Sequence, residues 1–331
     1  MTERTISFGQ ATLDAMQLAM RDDERVIVLG EDIGWGGSFG QFRGLRDEFG
    51  PERVIDMPIS EAIIVAASVG AALTGLLPVA SMSFVEFTMG AMDEIVNQAA
   101  KLDFMSGGQV RVPMVLRASD GTLRSSAAQH SESFEALFAH IPGLKVVAPS
   151  NPADAKGLLA AAIADEGPVV FLENKKIGSS RGPVPEGRFA IALGEAAVRR
   201  PGTDVTLIAY SIMVRHAEQA CAELAESGID AELVDLRSLV PLDLETLYAS
   251  VRKTRHAVVC HEAWTFGGFG AEIAAQITEE LFDELEAPVA RVGSRRSHIP
   301  FSPPLERAIV PQKEEVVGAV RHVLGSRRQT V

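Results

Sequence analysis

Apolar and polar positions alternate along this chain in two rhythms. Short β-branched runs at Val26–Leu29, Val54–Asp56, Val79–Ser81, Met114–Arg117, Lys145–Ala148 and Val169–Leu172 predict strands. Longer stretches with a helical period predict helices over Phe8–Met20, Glu61–Thr74, Met89–Phe104, Ser133–Ala139 and Pro152–Asp165. Asn151 before Pro152 reads as a helix cap with proline at the first helical position. Strand and helix taking turns in this way is the mark of a doubly wound α/β sheet. The periodicity then stops over 174–188, where glycine, proline, serine and basic residues cluster as they do in linkers. It resumes with strands predicted at Val205–Ala209, Ala231–Asp235, Ala257–His261 and Val289–Val292. Helices are predicted at Val214–Glu226, Leu244–Val251, Gly270–Leu285 and Lys313–Leu324. The expected division is a first domain over 1–178, a linker over 179–194 and a smaller second α/β domain over 195–331.

Composition narrows the class. At 331 residues and 47% hydrophobic, the chain can bury two cores. A formal net charge of -13 lacks the basic footprint of a nucleic-acid or anionic-membrane binder. Cys221 and Cys260 lie in apolar, periodic segments and read as reduced core thiols, which points to the cytoplasm. The start lacks the apolar run of a signal peptide. The apolar stretch from Ala62 to Val79 contains Ser68, Thr74 and Pro78, and reads as a buried helix running into a strand.

Chemistry in open α/β sheets gathers at the carboxyl ends of strands, and four such places carry suitable residues. Gly30 to Gly37 follows a strand, but it matches neither a P-loop nor a dinucleotide fingerprint, and its spacing reads better as a surface loop. Ser60 and Glu61 open a helix that is apolar all round. Glu61 either complements the helix dipole or needs a specific partner at a buried helix mouth. The run Met82 to Phe87 offers aromatic rings for a flat ligand or for the core. His130 lies in a polar, small-residue loop, Ser125 to Glu132, off any apolar stripe. It suits acid/base work or substrate contact. A Ser-His-Asp hydrolase is disfavoured because GxSxG is missing.

Taken together, these segments resemble the beta subunit of the thiamine-diphosphate-dependent 2-oxo acid dehydrogenases, of the pyruvate, branched-chain or acetoin type. The resemblance runs through Leu29-Gly30-Glu31-Asp32, Asp56-Met57-Pro58-Ile59-Ser60-Glu61, Asn97-Gln98-Ala99-Ala100-Lys101 and Ala128-Gln129-His130-Ser131. It continues through Pro142-Gly143-Leu144-Lys145, Asp235-Leu236-Arg237-Ser238-Leu239, His261-Glu262-Ala263 and Ile299-Pro300-Phe301. It implies a pyrimidine-type, thiamine-binding, doubly wound domain followed by a transketolase C-terminal-like α/β domain. It implies that Glu61 bonds the aminopyrimidine ring nitrogen, favouring the imino tautomer that can take the thiazolium proton. Phe87 would pack on the pyrimidine, and Glu31 would belong to the same cofactor face. His130 would act near the substrate and in acyl transfer to the lipoyl group, a step served by an imidazole.

The resemblance also implies partners. Relatives hold the diphosphate and magnesium through Gly-Asp-Gly and a downstream asparagine, and no Gly-Asp-Gly occurs here. Magnesium would then be held mainly by an alpha subunit in an α2β2 heterotetramer, which docks on a lipoyl acyltransferase core. A structural potassium ion is implied at Val112, Met114, Ala162, Asp165 and Gly167. Ser81, Glu132 and Gly178 depart from the residues common in relatives, and this bears on acyl preference. The expected reaction is oxidative decarboxylation of a 2-oxo acid with acyl transfer to lipoamide. The alternatives are acetoin cleavage and, behind it, a split transketolase-like reaction.

Overall fold

The computed structural model describes residues 3–325. Its contacts gather the chain into two compact units. The first holds the chain up to Asp120 and again Leu137–Leu193; the second holds Gly121–Ala136 and the chain from Gly194 onward.

The first unit opens with β1 (Glu3–Ser7) and α1 (Phe8–Asp22). Ser7 starts the helix because its Oγ accepts from the Gln10 N–H at 3.1 Å while Gln10 Oε1 accepts from the Ser7 N–H at 2.9 Å. Then come β2 (Val26–Gly30), α2 (Leu45–Phe49), β3 (Val54–Asp56), α3 (Glu61–Leu73), β4 (Leu77–Met82), α4 (Leu102–Met105) and β5 (Val115–Asp120). The chain returns through α5 (Glu135–Ala139) to β6 (Lys145–Val147), α6 (Pro152–Ile163), β7 (Val169–Asn174) and β8 (Arg181–Pro185). The main sheet runs β6-β7-β5-β4-β2-β3, every pairing parallel. Met16 and Met20 of α1 and Leu158 and Leu159 of α6 pack with Val28, Val54 and Phe171. Each such side chain contributes about 1.5–3 kcal/mol by leaving water.

Three expectations need correction here. The helix expected over Met89–Phe104 is broken into a 3₁₀ turn at Val85–Ala91, a π-helical turn at Glu94–Ala99 and the short α4. Asp93, Asn97 and Lys101 still link their side chains at four-residue spacing, but the Ala100 N–H reaches back five residues to Ile95. The widened turn leaves the Ala100 carbonyl so close to Gly143 that a Cβ there would lie 2.1 Å from it. Second, the segment where the periodicity stops contains a strand that was not predicted, β8, which pairs antiparallel with β1. Third, α3 is not buried all round: Ile63 is 52% exposed and Leu73 44% exposed.

The second unit contains β9 (Ala197–Arg200), β10 (Val205–Ala209), α7 (Ile212–Glu226), β11 (Ala231–Asp235), β12 (Ser238–Val240) and α8 (Leu244–Thr254). It continues with β13 (Ala257–Trp264), α9 (Gly270–Leu281), β14 (Ala290–Ser294), α10 (Pro303–Ile309) and α11 (Lys313–Gly325). Its sheet runs β14-β13-β10-β11-β9, parallel except for the edge strand β9. Cys221 and Cys260 are free and buried. Burial raises the Cys221 thiol to about 11. Among the described residues no helix is long and apolar enough to cross a membrane.

Candidate functional site

In the first unit the strand order reverses between β2 and β4. From β2 the chain steps outward to β3, and α3 then carries it back to β4 on the other side of β2. The carboxyl ends of such a strand pair diverge and leave a crevice, the usual ligand position in open α/β sheets. Glu31 follows β2 and Ser83 follows β4, so both stand at this switch point. The two strands approach closely there: a Cβ on Gly30 would lie 2.8 Å from the Ser81 Cβ, which explains the glycine before Glu31.

Glu61 reaches the same crevice from the first turn of α3, after β3. Ser60 takes the cap position, as its sequence placement suggests, but its side chain makes no cap hydrogen bond. Asp56 at the end of β3 braces the loop that follows β2. It accepts from the Gly34 N–H at 2.7 Å and pairs with Arg46.

Burial, and next the nearby Glu61 charge, hold the Glu31 carboxyl above the usual range, against a hydrogen bond from Ser83. Ser83 Oγ stands 3.5 Å from Glu31 Oε2, and Glu31 Oε1 is buried with no partner. Two neighbouring carboxylates, one of them with an unsatisfied oxygen, suit a ligand bearing hydrogen-bond donors such as ring nitrogen and amino groups.

The aromatic side of the crevice follows β4. Phe87 meets Phe84 edge-on with centroids 5.6 Å apart, and Phe84 meets Phe39 at 5.7 Å. Lys175, just past β7, lies 5.0 Å over the Phe84 ring and 3.6 Å from Glu86. Neither Lys175 nor Ser83 was singled out from sequence. Both follow strand ends, β7 for Lys175 and β4 for Ser83, which is the signal that could have found them.

The structure therefore brings Glu31, Glu61 and the Phe84–Phe87 aromatics to one unit. His130 falls in the other, at the end of a one-turn 3₁₀ segment, Ala128–His130. Ser125 and Ala127 before it have φ of 60° and 57°. Non-glycine residues held so cost on the order of 1–3 kcal/mol each and persist where surroundings fix them.

The residues expected to line a potassium site are in the first unit. The Met114 carbonyl accepts from the Val169 N–H at 2.9 Å. Asp165 accepts from the Gly167 N–H at 2.8 Å and pairs with Lys145 at 2.5 Å. Among the described residues, no three His, Cys, Asp or Glu side chains cluster so as to hold a metal ion.

Fold and crevice define a two-unit α/β chain with a crevice at the switch point of its first parallel sheet. Residues 4–179 match the pyrimidine-binding domain of transketolase, and 194–316 match the transketolase C-terminal domain. The chain is 43% identical to the beta subunit of acetoin:2,6-dichlorophenolindophenol oxidoreductase of Bacillus subtilis, covering 97% of this chain and 98% of the relative. It is 42% identical to the beta subunit of the pyruvate dehydrogenase E1 component of Rickettsia felis, covering 96% and 98%. A solved structure described as a split gene transketolase, inactive beta4 tetramer, superposes with a TM-score of 0.77 at 26% identity, covering 98% of this chain and 99% of that one. The chain belongs to the beta-subunit family of the thiamine-dependent 2-oxo acid dehydrogenases.

Proposed function

We propose that this chain is the beta subunit of a pyruvate dehydrogenase-type E1 component, acting in oxidative decarboxylation of a 2-oxo acid and acyl transfer to lipoamide. The observation that carries the cofactor assignment is the paired Glu31 and Glu61 at the β2/β4 switch point, with the partnerless Glu31 oxygen beside them. Thiamine diphosphate supplies the electron sink for the decarboxylation. Glu61 would hold a proton shared with the pyrimidine ring nitrogen, Phe87 would pack on the ring, and Glu31 would accept from the amino side. His130 would exchange a proton in acyl transfer.

In this reading residues 1–178 form the cofactor domain, 179–194 a linker and 195–331 the second domain. An alpha subunit would hold the diphosphate and magnesium, in an α2β2 assembly that docks on a lipoyl acyltransferase core. The exposed apolar residues Ile63 and Leu73 of α3, with Ile59 just before it and Phe104 of α4, support burial against another chain. The Lys145 ammonium already neutralises Asp165, which counts against a potassium ion at that carboxylate. Two buried free thiols support placement in the cytoplasm.

A second reading is acetoin cleavage on the same cofactor, favoured by relatives of the acetoin type in Bacillus subtilis and Cupriavidus necator at 43% and 42% identity. Calorimetric titration of thiamine diphosphate with magnesium tests the shared site. We expect tight binding only when this chain is co-expressed with its alpha subunit, and tight binding by this chain alone would overturn the assignment. Turnover of pyruvate against acetoin by the same complex then separates the two reactions.

A further inference from the structure

The second sheet has a switch point of its own. From β10 the chain steps to β11, and α8 brings it back to β13 on the other side. Tyr210 follows β10, and His261 and Glu262 lie in the carboxyl half of β13, with Tyr210 stacked on His261 at 6.4 Å and an interplanar angle of 4°. In an open parallel sheet this crevice would take a ligand. Here it takes residues 121–136 of the same chain.

The grip has several parts. Thr122 Oγ1 donates to Glu262 Oε1 at 2.5 Å, and Tyr210 Oη donates to Glu135 Oε1 at 2.7 Å. The Ser125 N–H donates to Glu306 Oε2 at 3.1 Å. The Gly121 N–H donates to the Glu132 carbonyl at 2.8 Å and closes the segment on itself. Glu135, Glu262, Glu306 and Thr122 are all buried. His130 sits between these anchors, just past the two residues held at positive φ.

We propose that Thr122, Glu262, Glu306 and Tyr210 are positioning residues for His130, the second sheet's crevice gripping residues 121–136 as a built-in ligand. This rests on the reading of His130 as the proton-exchanging residue in acyl transfer. Buried hydrogen bonds at both ends of a short segment fix its path, and misplacement of a catalytic group by 1 Å can slow a reaction about 100-fold.

The test uses the complex co-expressed with the alpha subunit. Thr122→Val and Tyr210→Phe each remove one hydroxyl donor at nearly constant shape, and Thr122→Ser restores it. Backbone hydrogen exchange over 121–136 and lipoamide-dependent kcat and KM are measured for these variants and for His130→Ala. We expect the double variant to raise exchange and to lower kcat about ten-fold at nearly unchanged KM, with Thr122→Ser close to the parent. Unchanged exchange would overturn the grip. Faster exchange with unchanged kcat, while His130→Ala is impaired, would overturn positioning. Full activity of His130→Ala would overturn the reading of His130 itself, and the exchange data would still report on the grip.

Discussion

The two parallel sheets of this molecule use the same place in opposite ways. At the β2/β4 switch point, half-buried Glu31 and Glu61 face each other with an oxygen left unsatisfied. At the β10/β13 switch point, Tyr210 and Glu262 spend their hydrogen bonds within the chain, on Glu135 and Thr122. One crevice is left for something outside the chain, and the other is filled by residues 121–136 of the chain itself. The difference teaches that a sheet's topology offers a site, and whether the chain's own residues fill it decides whether it stays one.

The sharpest way to break this comparison is to remove one carboxylate from each sheet. We expect Glu61→Gln to lower turnover of the complex about 100-fold or more, roughly 2.7 kcal/mol of barrier, with unfolding unchanged. Asp235, fully buried at the end of β11, accepts from Arg199 at 2.9 Å and from the Arg237 N–H at 3.2 Å. Asp235→Asn should lower stability by about 2–3 kcal/mol and leave thiamine diphosphate affinity unchanged. Denaturant titration beside turnover checks both. If Glu61→Gln destabilised the fold while Asp235→Asn slowed turnover, the contrast would be reversed.

A pH titration sharpens the same point. His261 is packed so closely that a Cβ on Gly270 would lie 2.5 Å from its ring, and on Gly268 2.6 Å. Burial pushes its imidazole down to about 4 from the ordinary 6.5. The unfolded chain therefore binds a proton between pH 6.5 and 4 that the folded chain refuses. Stability is fully present above pH 6.5 and falls through this window as pH drops, by about 3 kcal/mol at most from this group. Urea midpoints at pH 7 and 4.5 measure it, and His261→Gln should flatten the fall. A parallel loss in that variant would mean other groups carry it. The smallest expected effect is at α6. Asn151 Oδ1 accepts from the Asp154 N–H at 3.0 Å, and Asn151→Ala should destabilise by about 1 kcal/mol.

That cap was legible in sequence, as were the central strands. Val205–Ala209 and Ala231–Asp235 run where the apolar pattern puts them, because a strand covered on both faces needs an unbroken apolar run. The edge strands β1, β8 and β9 were not legible. Their residues are short, partly exposed and polar, and β1 finds β8 only at the far end of the first unit. For the site, Glu31, Glu61 and Phe87 could be singled out as positions at strand ends or by resemblance. Their surroundings could not, since Ser83 meets Glu31 across 52 residues and Tyr210 meets Glu135 across 75. Local periodicity carries no information about such pairings.

The excursion of residues 121–136 bears on how the protein can be taken apart. The chain passes from one unit to the other after Asp120, after Ala136 and again after Leu193. A cut at the last crossing alone does not yield two modules. A fragment ending at Leu193 would keep Thr122, Ser125 and Glu135 and lose Glu262, Glu306 and Tyr210, stranding half of each bond. A chimaera joined at that crossing inherits the same mismatch unless the excursion travels with the second unit. The unit of exchange between relatives is thus discontinuous in sequence, and grafting designs that honour only the visible linker will separate His130 from the scaffold that holds its loop.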